Sequence, residues 1–464
     1  MNRKNFTVML VVLCISTTVV AQSTEGKAVQ SIPELVSRVT GAMVRLEFVI
    51  DSRIVPPQRH SGQCVCIDAS KRLFLTRDLV GGIPEGELRD FVIVTAGIGG
   101  KRIKAEFVGM DYETGLSFVR ATEKHNFSEV RFARTSNLRL GRRVLSVGLL
   151  GPQTGNTPYL GTGVVSSVVR LPHQVVYVSG GELTNSSSPV FTDDGRAIGL
   201  IAGQLPMEYR MMAQGRWADV GLAGQQAGKF FMPVEEFIGA LSEPVGAKKL
   251  PWAGFVKFYP VNPEQAETIT NLGGATAVLV GQVIPDSPAA KVGIKQADAI
   301  VAFEGVPLEK LATPDLTVTQ LTKQLLRRKV GSKVSLTLLR KGERQTVQVE
   351  LVAMPTQPNE APHYYNKPLG IVARDMVIWD RYIGLEKPLM EKGTIITMVR
   401  RDSPAAKGQL KPGDFITAIN DVAAPSTTAM GSILDTLAKA GSTKPINFIV
   451  KRGDKPEVLV VNPE

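Results

Sequence analysis

The chain has 464 residues, 43% hydrophobic and 21% charged, and 54 basic residues against 43 acidic ones give a formal charge of +11. That length exceeds one ordinary domain, and that composition excludes wholesale disorder, so two to four packed cores are expected. Three cysteines exclude a disulfide-built scaffold; the basic residues are dispersed, which points to a solvated surface, and they lack a nucleic-acid fold signature, so no nucleic-acid partner is expected.

In chain order, Arg3 and Lys4, an apolar run over 8–20 and the small Ala21 read as a signal peptide, residues 1–21, cleaved after Ala21. Its apolar run falls short of the ~20 residues of a comfortable span. The mature chain is then periplasmic or secreted; a retained leader, the alternative, anchors it to the membrane. Short β-rich runs punctuated by glycine follow, at 43–50, 62–67, 91–94, 144–149, 163–169 and 197–202, and suggest an all-β barrel or sandwich. Cys64 and Cys66 lie two apart in one run, on one face, too far apart to be bridged, and read as buried free thiols. The segment 234–241 reads as a closing helix, and a linker over 242–249 ends this first domain, 34–241.

The last two hundred or so residues contain a repeat. Asp286-Ser-Pro-Ala-Ala-Lys291 recurs 116 residues later as Asp402-Ser-Pro-Ala-Ala-Lys407, and the same displacement carries Lys295 to Lys411, Asp298 to Asp414 and Ile300 to Ile416. Each copy, 250–354 and 366–464, opens on a glycine before an apolar residue, Gly254-Phe255 and Gly370-Ile371. Next come a short helix with proline near its start and an apolar strand, 300–303 and 415–419. A helix-period segment follows, with Val318, Leu321 and Leu325 on one face in the first copy and Met430, Ile433, Leu434 and Leu437 in the second. An alternating hairpin closes each copy. A Pro-rich linker, 355–366, separates them.

Each copy resembles a PDZ domain of the bacterial type, on its Gly-apolar opening, its Ser-Pro-Ala-Ala-Lys…Asp-x-Ile core and its terminal hairpin. The resemblance implies a groove that takes a peptide C-terminus as an added strand, the carboxylate held by backbone N–H groups of the opening loop. Carried over, those loops are 252–255 and 368–371. Gly254 and Gly370 would admit the carboxylate, and Phe255, Ile371, Leu321 and Leu434 would line the pockets; apolar helix faces also serve simply as core.

The upstream domain resembles the trypsin-like protease domain of the HtrA (Deg) family. Gly62-Gln-Cys-Val-Cys-Ile-Asp68 is similar to its Gly-Ser-Gly-Val-Ile-Ile-Asp strand, and Gly161-Thr-Gly-Val-Val-Ser-Ser167, Asp194-Gly-Arg-Ala-Ile-Gly199 and Phe231-Met-Pro233 are similar to later strings. The resemblance implies a mostly β fold, a trypsin-like double β-barrel followed by two α+β PDZ domains. The catalytic strings depart from it. Leu75-Thr-Arg-Asp-Leu79 places Leu79 where the family has its histidine. Asp111-Tyr-Glu-Thr-Gly115 places Gly115 where it has its aspartate. Thr184-Asn-Ser-Ser-Ser-Pro189 keeps Ser186 at the nucleophile position but loses three glycines. Leucine accepts no proton, and losing the triad histidine in such an enzyme costs on the order of a millionfold in turnover. Asp78, beside Leu79, is expected to point to the opposite face if the chain there is extended.

These readings converge on an exported pseudoprotease that binds peptides or C-termini of exported proteins as an adaptor, chaperone or regulator of an active protease. The resemblance also implies a homo-oligomer, a trimer. No metal or other cofactor is expected, because His60, His125, His173 and His363 show no ligand spacing. Two alternatives stand beside this reading: a serine endopeptidase with a non-standard site built on Ser186, and an envelope structural protein that uses its basic surface.

Overall fold

The computed structural model describes residues 31–79, 83–111, 113–135, 138–169, 172–201, 210–213, 216–219, 229–242, 249–382, 389–441, 443–452 and 455–463. The leader, 243–248 of the first linker, residue 202 and the last turn at 453–454 lie outside them.

Two closed barrels of six strands each form the first domain. In the first, Met43–Ile50 pairs with Gln58–Asp68 on one side and with Leu88–Thr95 on the other, which closes the ring. In the second, Arg143–Leu149 pairs with both Pro158–Val169 and Pro189–Thr192. Strand alternation sends Leu46, Ile93 and Phe118 into the first core and Val165, Val176 and Phe231 into the second; each such side chain contributes about 1.5–3 kcal/mol on burial. Cys64 and Cys66 are free and buried, and burial pushes the Cys66 thiol up to about 12, which keeps it inert. Helix Ile32–Thr40 starts at a capping box in which Ser31 and Glu34 bond each other's backbone N–H. Helix Val234–Ser242 packs Val234 and Phe237 under the barrels.

The repeat has a common internal logic. Ser287 and Ser403 cap the short helices Pro288–Lys291 and Pro404–Lys407, accepting from Ala290 and Ala406 N–H. Each serine lies on the opening glycine. A Cβ on Gly254 would come within 2.2 Å of Ser287 Oγ, and one on Gly370 within 2.4 Å of Ser403 Cβ; both glycines also have positive φ, +109° and +75°. The Lys-x-x-Asp spacing is a clip. Asp298 accepts from Lys295 N–H and takes both ends of the Arg340 fork at 2.6 Å, and Asp414 does the same with Lys411 and Arg452.

Both modules dock on the barrels. Helix Pro314–Leu326 of the first sends Lys323 Nζ to Glu236 Oε2 at 2.6 Å and to Pro172 O at 2.5 Å, and Arg327 to Glu236 and Glu113. The second module places Tyr365 Oη 3.1 Å from Glu87 Oε1, with Arg53 over the Tyr365 ring. The stretch 355–366 read as a linker is therefore only partly one. Its end forms a strand, His363–Asn366, in the sheet of the second module, because the two tyrosines suit a pleated, half-buried surface and both find partners there.

Candidate functional site: a cleft between the barrels and two PDZ modules

Between the barrels lies a cleft of about 520 Å³ lined by Arg45, Gly62, Gln63, Asp78, Asn185 and Ser186, among others. Ser186 is half-buried at the tip of the loop before strand Pro189–Thr192. Leu79 is 3% exposed and belongs to the apolar core of the first barrel. Gly115 takes a φ of +68°, and the Arg77 guanidinium lies 3.8 Å from where its Cβ would be. Burial pushes that guanidinium below its ordinary value, against the supporting charge of Asp78. A cation thus stands beside Gly115, the position to which the resemblance assigns the triad carboxylate.

Asp78 does not point away from the cleft; it lines it. Strand Leu73–Thr76 has ended before Asp78, so strand alternation no longer applies, and Asp78 Oδ2 accepts from Gln63 N–H at 2.8 Å. Gly62 makes this approach possible, since a Cβ there would fall 2.4 Å from Asp78 Cβ. Asp78 and Arg45 are the titratable groups among the described lining residues. The histidines are elsewhere: His60 stacks on Phe48, His125 meets Phe127 edge-on, His173 faces Glu236 and His363 faces Ala361 O.

The loop around Ser186 is held by groups of both barrels. Gln63 Nε2 donates to Ser186 O at 2.7 Å and to Ser188 Oγ at 2.6 Å, while its Oε1 accepts from Leu149 N–H. One amide thereby bonds three groups of the second barrel from inside the interface. In proteases of this fold the oxyanion is held by the N–H of the nucleophile and of the residue two before it. Here the latter is Thr184, and its N–H donates to Ser146 Oγ at 2.8 Å. The Thr184 side chain fits because residue 148 is glycine; a Cβ there would meet Thr184 Cβ at 2.7 Å. Ser187 adopts a φ of +65° where the family has glycine. That left-handed backbone costs about 1–2 kcal/mol in a non-glycine residue. It is held by Arg77 N–H donating to Ser187 Oγ at 2.8 Å and by Ser187 N–H donating to Ile201 O at 3.0 Å. Sequence reasoning did not find the roles of Gln63, Arg77 and Ser146; the signal within reach was Gln63, the first departure from the family's strand string.

In the modules, Phe255, Leu321, Ile371 and Leu434 all lie in the two cores, at most 7% exposed. Gly254 and Gly370 sit in the opening loops, where close packing on serine already requires glycine. The two grooves differ. Strand Phe258–Pro260, which follows the first opening loop, is the outer edge of its sheet, whereas strand Ile371–Asp375, which follows the second, is covered by His363–Asn366.

A trypsin-like double barrel followed by two PDZ modules, with a serine between the barrels, defines the class of protein. Comparison with known proteins agrees. The trypsin-like peptidase domain family matches residues 62–200, and the PDZ domain family matches 257–351 and 381–462. The chain is 27% identical over 358 residues to a probable periplasmic serine endoprotease DegP-like of Pseudomonas putida (strain W619), covering 73% of this chain and 67% of the relative. It is 25% identical over 412 residues to the periplasmic serine endoprotease DegP of Salmonella typhimurium, covering 86% and 76%. Among solved structures, an HtrA-type protease AlgW with decapeptide superposes with a TM-score of 0.52 at 18% identity, covering 71% of this chain and all of that one. The chain belongs to the HtrA family.

Proposed function

We propose that this chain is an exported HtrA-like pseudoprotease, periplasmic or secreted, that captures peptides or protein C-termini through its PDZ modules, with the double barrel as scaffold. The observation that carries the reading is the Thr184 N–H bonded to Ser146 Oγ, together with Leu79 and Gly115 at the base and orienting positions. Among the described residues, Ser186 has neither a proton acceptor of the triad kind nor a preorganised oxyanion site, and each absent oxyanion donor costs about 10²–10³ in turnover. Peptide capture falls first to the open edge strand Phe258–Pro260, whose unpaired side can accept an added strand. Adaptor, chaperone and regulator of an active protease all use that one chemistry, and assembly into a trimer would multiply it.

A second reading, an endopeptidase with a non-standard site, is favoured by one observation: Asp78 and Ser186 share the cleft. Hydrolysis of an unfolded protein by the purified chain, with Ser186→Ala as control and a serine-directed phosphonate as label, separates the two. The pseudoprotease reading expects equal silence and no label. Cutting or labelling that Ser186→Ala abolishes overturns it. The double change Leu79→His with Gly115→Asp is expected to remain inactive unless the N–H of Thr184 is also released.

A further inference from the structure

We infer that the peptide groove of the second PDZ module is a binding site whose resident ligand is this chain's own segment His363–Asn366. The inference rests on reading the modules as peptide-capturing. A PDZ ligand adds antiparallel to the strand after the opening loop, its C-terminal end at that loop. His363–Asn366 runs antiparallel to Ile371–Asp375 with His363 opposite Arg374 and Asn366 opposite Ile371, so its C-terminal end is the end at the loop. There Asn366 presents two oxygens, as a carboxylate does. Its main-chain oxygen accepts from Gly370 N–H at 2.9 Å, and its side-chain oxygen accepts from Leu369 N–H at 2.9 Å.

The side chains complete the match. Alternation puts Tyr364 and Asn366 on one face and His363 and Tyr365 on the other. Tyr364 reaches the groove helix Thr427–Lys439, donating to Asp435 Oδ1 at 2.9 Å, and Asn366 Nδ2 donates to its hydroxyl. Gly431 stands in the interior of that helix, where glycine is a poor choice. The Tyr364 ring explains it: a Cβ on Gly431 would lie 3.0 Å from the ring. Both groove helices have 13 residues, and aligned end to end they set Gly431 against Val318, which packs on the core of the first module. The second helix is carved for an aromatic occupant, and the chain supplies one.

Two measurements on the full mature chain test this. Hydrogen exchange should show the Leu369 and Gly370 amides protected like those of the core strands; exchange as fast as in exposed loops overturns the inference without any substitution. The second is titration with a fluorescent decapeptide of the sequence 357–366 ending in a free carboxylate. The tethered copy competes at an effective concentration on the order of millimolar, so removing its anchors in Tyr364→Ala/Asn366→Gly should tighten decapeptide binding at least about tenfold. Adding Asp435→Ala should reverse the gain. Equal binding to wild type and double variant, or a gain indifferent to Asp435→Ala, overturns it. Peptide capture as such is read separately, with a display library of C-terminal decapeptides on the wild type. A library that binds at Phe258–Pro260 while Leu369 and Gly370 exchange fast defeats the resident ligand alone. An empty library with those amides protected defeats peptide capture alone.

Discussion

The two PDZ modules share their internal wiring and differ where they meet the rest of the molecule. Both hold a serine against the opening glycine, and both clip the turn to the last hairpin with a buried aspartate and a forked arginine. These features satisfy buried polar groups inside each module, so either copy needs them to fold. The grooves and docking faces have no such constraint. Among the described residues, the first module's strand Phe258–Pro260 has no outer neighbour in its sheet, and the module ties its groove helix to the second barrel's side through Lys323, Arg327 and Glu236. The second fills its groove with a strand whose outward tyrosine rests on the first barrel. The two copies keep the contacts that stabilise the module and differ at the groove and at the docking face.

The largest effect that sharpens this contrast is the response of the two docks to acid. Burial pushes the Glu236 carboxyl up, but hydrogen bonds from His173 and Lys323 and the Lys323 charge outweigh it and hold it at about 2. Its folded value lies below the unfolded 4.5, so its contribution is full above about pH 4.5 and is lost as pH falls toward about 2. That contribution is on the order of 3 kcal/mol. Glu87 goes the other way. Burial raises its carboxyl above 4.5, with Tyr365 and Arg53 opposing and Asp51 adding to the rise. The folded state takes up that proton first, so the second dock gains slightly as pH falls toward 4.5. Exchange-monitored denaturation across pH should show the first module loosening in acid while the second holds. Glu236→Gln should flatten the first response, and Glu87→Gln the second. Responses of one sign in both modules would break the contrast.

A smaller effect tests the shared wiring. Asp298→Asn and Asp414→Asn should each cost about 2 kcal/mol, below the 3–5 kcal/mol of a fully buried pair because the arginines are about a third exposed. The two losses should be of similar size, and the double variant should lose their sum within about 0.5 kcal/mol, because the two sites lie in separate modules. Module-resolved denaturant midpoints measure both, and a clear inequality would show that the clip is not the same device in the two copies.

How far each region could be read from sequence follows the same division. The repeat was legible because Gly, Ser-Pro and Lys-x-x-Asp act on near neighbours, and local hydrogen bonding dictates them. A short helix is expected in each Ser-Pro-Ala-Ala stretch and a strand over 415–419, and helices Pro288–Lys291 and Pro404–Lys407 and strand Phe415–Ile419 stand there. Leu79 and Gly115 are legible as departures from the family's catalytic strings, a reading that rests on the resemblance of those strings. What escaped depends on pairing distant segments. Gln63 meets Ser186 across 123 positions, and Arg77 meets Ser187 across 110. For Asp78 the expectation hangs on an extended chain; the strand ends at Thr76, and Asp78 lines the cleft while Leu79 enters the core. The strand His363–Asn366 hid behind Pro355, Pro358 and Pro362, which read as a linker; its signals were the paired tyrosines and the glycine inside a helix sixty-odd residues later.

The smallest effect addresses the outward face of that strand. Tyr365→Phe keeps the ring under Arg53 and removes only the hydroxyl bonded to Glu87. Loss of one such bond costs about 1 kcal/mol, and part of that returns if water reaches Glu87. Tyr364→Phe makes the same deletion on the inward face, where the hydroxyl both donates to Asp435 and accepts from Asn366. If the strand is a ligand of the second module that also rests on the barrel, the two changes differ in kind. Tyr365→Phe should loosen the second module from the first barrel and leave the groove filled. Tyr364→Phe should raise exchange at Leu369 and Gly370 and leave the dock in place. Cross-linking between module and barrel, read beside exchange at the loop, separates the two. Identical behaviour of both variants would mean that groove and dock open together, so that a peptide displacing the strand would also release the module from the barrel.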